Sequence, residues 1–218
     1  ATVNLDVLQN ANGPFAPGGI GYLKDSGYPT YDLAESKKLV AQYKEETGTD
    51  LAFTLIATPD PATQAAAAVV QQMGKAAGIN ITITALEQAA LISTAISGKY
   101  QAMVFRNYPG GDPDANYVWW KGGGNPVNFG RFDDVEITAL LDEGRATPDK
   151  AKRQEIYGDI NKRFASEGYS IWLQWTLWDI ATATDVFGTL GPDLPDDAGA
   201  PFPGLASGHP VTGMWIQS

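Results

Sequence analysis

The feature that most constrains the fold is an alternation of strand-like and helix-like segments in the first half of the chain. Three segments are rich in β-branched and aromatic residues, as strands are: 51–58, 79–87 and 100–106. Helices are predicted between them, at 60–78, where Asp60 is the expected cap, and at 88–98. Two successive strand–helix–strand crossovers predict an α/β fold with parallel strands covered by helices.

Helices are also predicted on both sides of this region. In segment 31–48, Asp32 and Glu35 form a capping box and Gly48 marks the end. Its apolar stripe predicts burial of Leu39, Val40 and Tyr43. Segments 133–145 and 147–168 predict two more helices, with apolar faces at Ile137, Leu140, Leu141, Ile156, Tyr157, Ile160 and Phe164.

The remaining segments are less regular. Residues 1–31 read as an extended lead-in, and the tryptophan-rich segment 169–184 predicts one or two strands. Residues 185–218 are too rich in proline and glycine for regular structure. No linker interrupts the middle of the chain, so residues 1–218 are predicted to form a single α/β lobe.

Composition excludes several classes of function. The net charge of -10 and the absence of a basic cluster argue against a nucleic-acid partner and against an anionic membrane surface. The chain has no cysteine, which excludes disulfides, thiolate metal sites and a cysteine nucleophile. No apolar run approaches the ~20 residues of a membrane span. The first residues lack the pattern of a signal peptide, so any export signal is expected to have been removed or omitted.

Residues 104–120, "VFRNYPGGDPDANYVWW", begin in the last residues of the third predicted strand, and residues 106–120 are the candidate site. Ligands of open α/β sheets bind beyond the carboxyl ends of the strands. Asp112, Pro113 and Asp114 fit the start of a helix, with Asp112 as the cap. Arg106 ends an apolar strand and requires either solvent or an anionic partner.

Catalytic and metal-binding interpretations of this loop are weaker. A calcium loop fails because Tyr117 and Gly123 stand where glycine and glutamate are required. A carbohydrate-active enzyme that uses Asp112 and Asp114 remains the alternative function, and it requires both carboxylates to face a pocket. The single histidine, His209, has no nucleophile pattern beside it.

The tryptophans allow two interpretations. Core positions are favoured for Trp172 and Trp175, whereas core and pocket wall are equally compatible with Trp119 and Trp120. A protein-interaction domain is a third functional class, and it would present its tryptophans, Trp178 among them, in a broad apolar patch.

Four passages resemble the C-terminal lobe of family 5 extracellular solute-binding proteins, the dipeptide/oligopeptide/nickel-type receptors of ABC importers. They are residues 13–40, 97–117 and 128–173 and the closing "VFGTLGP", in the order of the family. The resemblance implies a type II periplasmic-binding-protein-like lobe, a mainly parallel sheet flanked by helices with additional C-terminal strands. It also implies that the chain is one lobe of a longer, two-lobed receptor.

The resemblance further implies solute binding without catalysis, and no cofactor or metal. The expected partners are a small solute and, through the full-length receptor, a membrane permease. The expected location is extracytoplasmic, in the periplasm or at the cell surface, with or without a lipid anchor.

The same resemblance places the segment after the third predicted strand along the ligand cleft. The polar candidates are Arg106, Asn107, Tyr108 and Asn128, and the apolar or stacking candidates are Trp119, Trp120 and Phe129. Peptide-binding members keep an aspartate where Pro109 stands, and a tryptophan where Arg106 stands. A peptide ligand is therefore doubtful, and an anionic or hydroxyl-rich solute is expected.

Overall fold

The computed structural model describes residues 9–107, 111–176, 181–189 and 213–217. The chain divides into two compact units. The first contains residues 27–107 and 118–138, and the second contains the described residues of 9–26, 111–117 and 139–217. The prediction of a single lobe over 1–218 stays a prediction.

The first unit is built on the predicted parallel sheet. Strand β1 (Ala52–Ala57) lies between β2 (Asn80–Ala85) and β3 (Ala102–Met103), and both pairings are parallel. β1 and β2 pair along their full lengths. The predicted alternation of strands and helices is therefore confirmed.

β3 is shorter than predicted from segment 100–106. Its pairing with β1 is limited to Ala102 and Met103. The side-chain oxygen of Gln101 accepts the backbone N–H of Thr54 at 2.8 Å, where a longer strand would supply a carbonyl. The Gln101 side chain thus takes the place of the next backbone hydrogen bond between β1 and β3.

Helices α2 (Pro61–Ala77) and α3 (Gln88–Ser97) connect these strands. Asp60 caps α2 as predicted, because its carboxylate accepts the N–H of Thr63 at 2.9 Å. The core of the unit is apolar, with Leu55, Ala57, Ala67 and Ile81 buried in one cluster.

Helix α1 (Leu33–Thr47) has the predicted ends but not the predicted buried stripe. Asp32 caps it and Gly48 ends it in the left-handed conformation. Leu39 is 54% exposed, Tyr43 is 38% exposed, and Val40 is half-buried. The prediction of burial is wrong because packing on α2 shields only part of this face.

The Asp-Pro-Asp stretch begins a helix, as predicted. Pro113–Asn116 form a 3₁₀ turn that continues into the short helix α4 (Tyr117–Trp120). Asp112 caps the turn by accepting the N–H of Asp114 at 2.8 Å.

The second unit is organised around a helical core. Helix α5 (Val135–Ala146) contributes its C-terminal part, and α6 (Lys150–Glu167) lies entirely within the unit. The buried residues of the second unit include Phe15, Leu141, Ile156, Tyr157, Ile160 and Phe164. Ile137 of α5 is also buried and Leu140 is half-buried, so the predicted apolar faces are confirmed.

The strands predicted in 169–184 are absent from the described residues of that segment, 169–176 and 181–184. Gln174 forms only an isolated antiparallel bridge with Asn10, and Ile171 is 77% exposed. The half-buried tryptophans find other partners: Trp172 packs on Phe164, and Trp175 packs on Tyr22. Trp178 lies outside the described residues.

The tail is not irregular at its two described ends. Strand β4 (Val186–Phe187) pairs antiparallel with β5 (Trp215–Ile216), and the rings of Phe187 and Trp215 stack 4.6 Å apart. Both strands lie in segment 185–218, where the sequence predicts irregular structure, and not in 169–184, where it predicts the additional C-terminal strands. His209 lies outside the described residues.

Candidate functional site

The candidate site begins at the carboxyl end of the parallel sheet. The N–H of Val104 still bonds to the carbonyl of Ile56 at 2.9 Å, and Phe105, Arg106 and Asn107 follow directly. Asp60 follows β1 at the same edge, since parallel strands end on the same side. This edge is where open α/β sheets place their ligands.

Arg106 meets an anionic partner at this edge. Its guanidinium lies 3.4 Å from Asp60 Oδ1 and 3.1 Å from Thr63 Oγ1. The Arg106 side chain remains 57% exposed and that of Asp60 43% exposed. The edge therefore offers one cationic and one anionic group to solvent, side by side.

Asp60 stays ionised because residues on both sides of it in the chain supply donors to its carboxylate. The Thr58 hydroxyl donates to Oδ2 at 2.6 Å, and the N–H of Thr63 donates to Oδ1. These bonds hold the pKa of the Asp60 carboxyl well below its usual range, with a smaller contribution from the charge of Arg106.

The side chains of Phe105, Trp119 and Phe129 form a group of three rings, the aromatic cluster. Phe129 lies edge-on to Phe105 with ring centroids 5.3 Å apart, and its centroid is 5.6 Å from that of Trp119. Phe105 is 37% exposed, and the other two rings are half-buried. The cluster combines a packed interior with ring surface that a ligand can reach.

Of the predicted site residues, Trp119 and Phe129 meet in the aromatic cluster, whereas Arg106 pairs with Asp60 and Asn107 follows it in the chain. Trp120 is 6% exposed and is a core residue. Asn128 is 2% exposed, and its side-chain N–H groups donate to the carbonyl of Phe132 at 2.8 Å and to that of Lys121. Tyr108 and Pro109 lie outside the described residues.

The carboxylates of the Asp-Pro-Asp turn are held by arginines of the second unit. Arg153 donates to both oxygens of Asp112, at 2.6 and 2.9 Å. Arg145 contacts both oxygens of Asp114, at 2.9 and 3.0 Å. Bidentate pairs of this kind fix a backbone turn, whereas a glycosidase needs carboxylates that face a substrate.

In the described part of the chain, no group of three or more histidine, aspartate or glutamate residues is placed to hold a metal ion. Together with the arginine pairs, this leaves the enzyme alternative that uses Asp112 and Asp114 without support. Asp112 is a cap and an ion-pair partner.

Sequence reasoning missed two members of this site. The sequence places Phe105 at the end of a predicted strand and predicts Asp60 only as a helix cap. The topological rule would have found Asp60, because Asp60 and Arg106 each follow the carboxyl end of one of two neighbouring parallel strands. A concavity of about 370 Å³ lined by Thr54, Ile56, Lys99, Tyr100 and Gln101 includes none of the predicted site residues.

The sequence and the fold both identify the class of protein. Residues 6–129, more than half of the chain, match the family described as bacterial extracellular solute-binding proteins, family 5 Middle. The chain therefore belongs to the family 5 bacterial extracellular solute-binding proteins. No curated protein matches the chain at a significant level. None of the helices in the described residues is long and apolar enough to cross a membrane.

Solved structures show the fold of type II periplasmic binding proteins. The chain is similar to the PBP AgaA of A. tumefaciens R10 in complex with agropinic acid, at 23% identity and a TM-score of 0.71, covering 100% of this chain and 44% of AgaA. The oligopeptide-binding protein AppA of Bacillus subtilis, in complex with a nonapeptide, has 17% identity and a TM-score of 0.70, with 100% and 45% covered.

NikA of Brucella suis, in complex with Fe(III)-EDTA, has 21% identity and a TM-score of 0.66, with 79% of this chain and 39% of NikA covered. The chain thus spans less than half the length of these three proteins.

Proposed function

We propose that the chain is the solute-binding part of an ABC importer receptor and carries out no catalysis. One observation carries this proposal: the aromatic cluster and the half-exposed Arg106 follow the carboxyl edge of a parallel sheet in a member of a solute-binding family. The solute would be held between this surface and the remaining part of a longer receptor. That receptor would act outside the cytoplasm and deliver the solute to a membrane permease.

The aromatic cluster would provide the apolar and stacking contacts. Phe105 exposes ring surface, and Trp119 and Phe129 support it from the sides. Arg106 and Asn107 would provide polar contacts beside the rings. Large rings with two side-chain torsions lose little conformational entropy on binding, which favours them as contact surfaces.

Arg106 supports an anionic or polar solute, but Asp60 modifies this expectation. Because Asp60 partly neutralises Arg106, the edge suits a solute that carries a carboxylate near a donor group as well as a simple anion. The expectation that a peptide is doubtful gains no support from the comparisons, since AppA is in complex with a nonapeptide. Anionic or polar solutes and peptides are therefore both tested as ligands.

The test uses the full-length receptor. It is purified from its host without added solutes, and the small molecules released on denaturation are identified by mass spectrometry. Agropinic acid and the tetrapeptide STSA, the ligands named for AgaA and for DppA of Helicobacter pylori, serve as added probes in calorimetric titrations. A released or added solute that binds with micromolar or lower Kd, corresponding to about -8 kcal/mol, supports the proposal.

A receptor that binds no released solute and no probe, yet turns over a glycoside or sugar nucleotide, would overturn it. In that case the activity of Asp112→Asn and Asp114→Asn variants would identify the site.

A further inference from the structure

Arg131 adopts a backbone conformation that side chains rarely occupy. Its φ is 56°, and it is the one residue other than glycine with a positive φ among the described residues. The left-handed region costs free energy for any residue with a Cβ and persists only where surrounding contacts enforce it. An arginine is therefore held there by contacts that its side chain or its neighbours make.

Those contacts are made at the C-terminus of α3. The Arg131 guanidinium donates to the carbonyl of Ile96 at 2.8 Å and to that of Ala95. It also lies against Gly98, where an added Cβ would meet its Nη2 at 3.2 Å. A positive charge at a helix C-terminus is favoured by the carbonyls of the last turn and by the helix dipole.

The backbone beside Arg131 is fixed from a second side. The Tyr100 hydroxyl donates to the carbonyl of Phe129. Burial raises the pKa of Tyr100, so the hydroxyl keeps its proton and remains a donor at neutral pH. The N–H of Arg131 also bonds to the carbonyl of Asn128 at 3.0 Å, which closes a tight turn around Phe129.

We infer that Arg131 and Tyr100 are positioning residues that hold the ring of Phe129 in the aromatic cluster. Two anchors fix residues 129–131: the Arg131 side chain binds the end of α3, and the Tyr100 hydroxyl binds the Phe129 carbonyl. The ring of Phe129 packs against Trp119 and Phe105. The relevance of this clamp to solute binding rests on the proposed function. Neither residue needs to touch the solute for the effect.

The test uses three variants of the full-length receptor. Arg131→Asn removes the guanidinium but keeps a residue that tolerates the left-handed conformation. Tyr100→Phe removes only the hydroxyl. Arg163→Gln is the control, because Arg163 is an arginine of α6 that pairs with Glu167 one turn away.

The first readout needs no solute. Receptors labelled with 5-fluorotryptophan are compared by ¹⁹F NMR, and the signal of Trp119 is assigned by its loss in Trp119→Phe. Since Trp119 lies 5.6 Å from Phe129, loss of the clamp is expected to shift or broaden this signal while the other tryptophan signals of the chain stay in place. A merely structural role would lower Tm without moving a native-state signal. An unchanged Trp119 signal in both variants overturns the inference.

The second readout is the affinity for the solute or probe that binds the wild-type receptor. Misplacing one ring of an aromatic cluster is expected to weaken binding roughly 3- to 10-fold in Arg131→Asn and Tyr100→Phe. Arg163→Gln is expected to match the wild type in both readouts. If the Trp119 signal moves and affinity does not change, the clamp stands and the placement of the solute at the aromatic cluster is contradicted.

Discussion

At the scale of single residues, the electrostatic character of the site depends on one pair. Arg106 is the cation that the sequence singled out, and Asp60 is the anion that the fold brings to it from 46 residues earlier in the chain. Both side chains are about half exposed, so the pair is weak and each member remains available to a ligand. Removing the charge of Arg106 and removing the charge of Asp60 are therefore expected to change the affinity for an anionic solute in opposite directions.

Arg106→Ala in the full receptor should weaken binding of an anionic solute. Loss of a charge-assisted hydrogen bond is worth about 1.5–3 kcal/mol, or roughly 10- to 150-fold in Kd. Asp60→Asn is the matched variant, because asparagine also caps a helix but leaves Arg106 without its ion-pair partner. It should strengthen binding of the same anion, as measured by calorimetry. Unchanged affinity in Arg106→Ala would remove the arginine from the site.

Which residues act together could be predicted only in part. The caps Asp32, Asp60 and Asp112 were predicted because capping depends on neighbours within three residues. The partners of Arg106 and Arg131 lie 46 and 35 residues away in the chain, so they follow from the packing of helices and strands, which local sequence does not encode.

At the scale of elements, one glycine of α5 fits closely against α6. A Cβ added at Gly144 would lie 2.8–2.9 Å from the ring and hydroxyl of Tyr157, which is fully buried. Gly144→Ala should therefore destabilise the chain by about 1–3 kcal/mol through overpacking. Urea unfolding followed by circular dichroism measures this difference.

Gly158 in α6 provides the matched control. The nearest atom to a Cβ there would belong to Leu23, at an ordinary 3.6 Å. Gly158→Ala should be neutral or stabilising by up to about 1 kcal/mol, because alanine is the better helix former. Equal effects of the two substitutions would mean that the contact with Tyr157 does not limit the packing of these helices.

The Asp112–Arg153 pair gives the turn a pH dependence. Arg153 lowers the pKa of the Asp112 carboxyl below its usual value, which is about 3.9 in unfolded chains. The pair therefore stabilises the fold fully above about pH 4 and loses this contribution as the pH falls through the lower, folded-state pKa.

Asp112→Asn keeps the cap and removes the charge. Its stability deficit should be about 1 kcal/mol, because the Asp112 side chain is 55% exposed although that of Arg153 is only 15% exposed, and it should shrink below about pH 4. Urea unfolding of both proteins across this range measures the deficit. A deficit equal in size at pH ~3 and pH ~7 would show that the ion pair is not its origin.

Element boundaries were predictable where local chemistry defines them, and partners were not. The stripe of Leu39 and Tyr43 on α1 has the period of a buried face, yet a period does not state how much of that face a neighbour will cover. Segment 169–176 alternates like a strand, but its tryptophans pack on Phe164 and Tyr22 instead of joining a sheet.

At the scale of the whole molecule, the order of strands and helices predicted the fold class, and the amino-acid sequences of four passages predicted the family. Both were confirmed. The sequences of the four passages and their order identified the family better than any one motif, because Asp-Pro-Asp alone also occurs in enzymes. The composition of the site followed less completely, since Phe105 and Asp60 join it only once the sheet is assembled.

The most direct test of the central claim is a crystal structure of the full-length receptor with its co-purified solute. Solute atoms are expected within about 4 Å of Phe105, Trp119 or Phe129, with a polar group of the solute directed at Arg106 or Asn107. A solute bound elsewhere in the receptor, with none of these residues in contact, would contradict it.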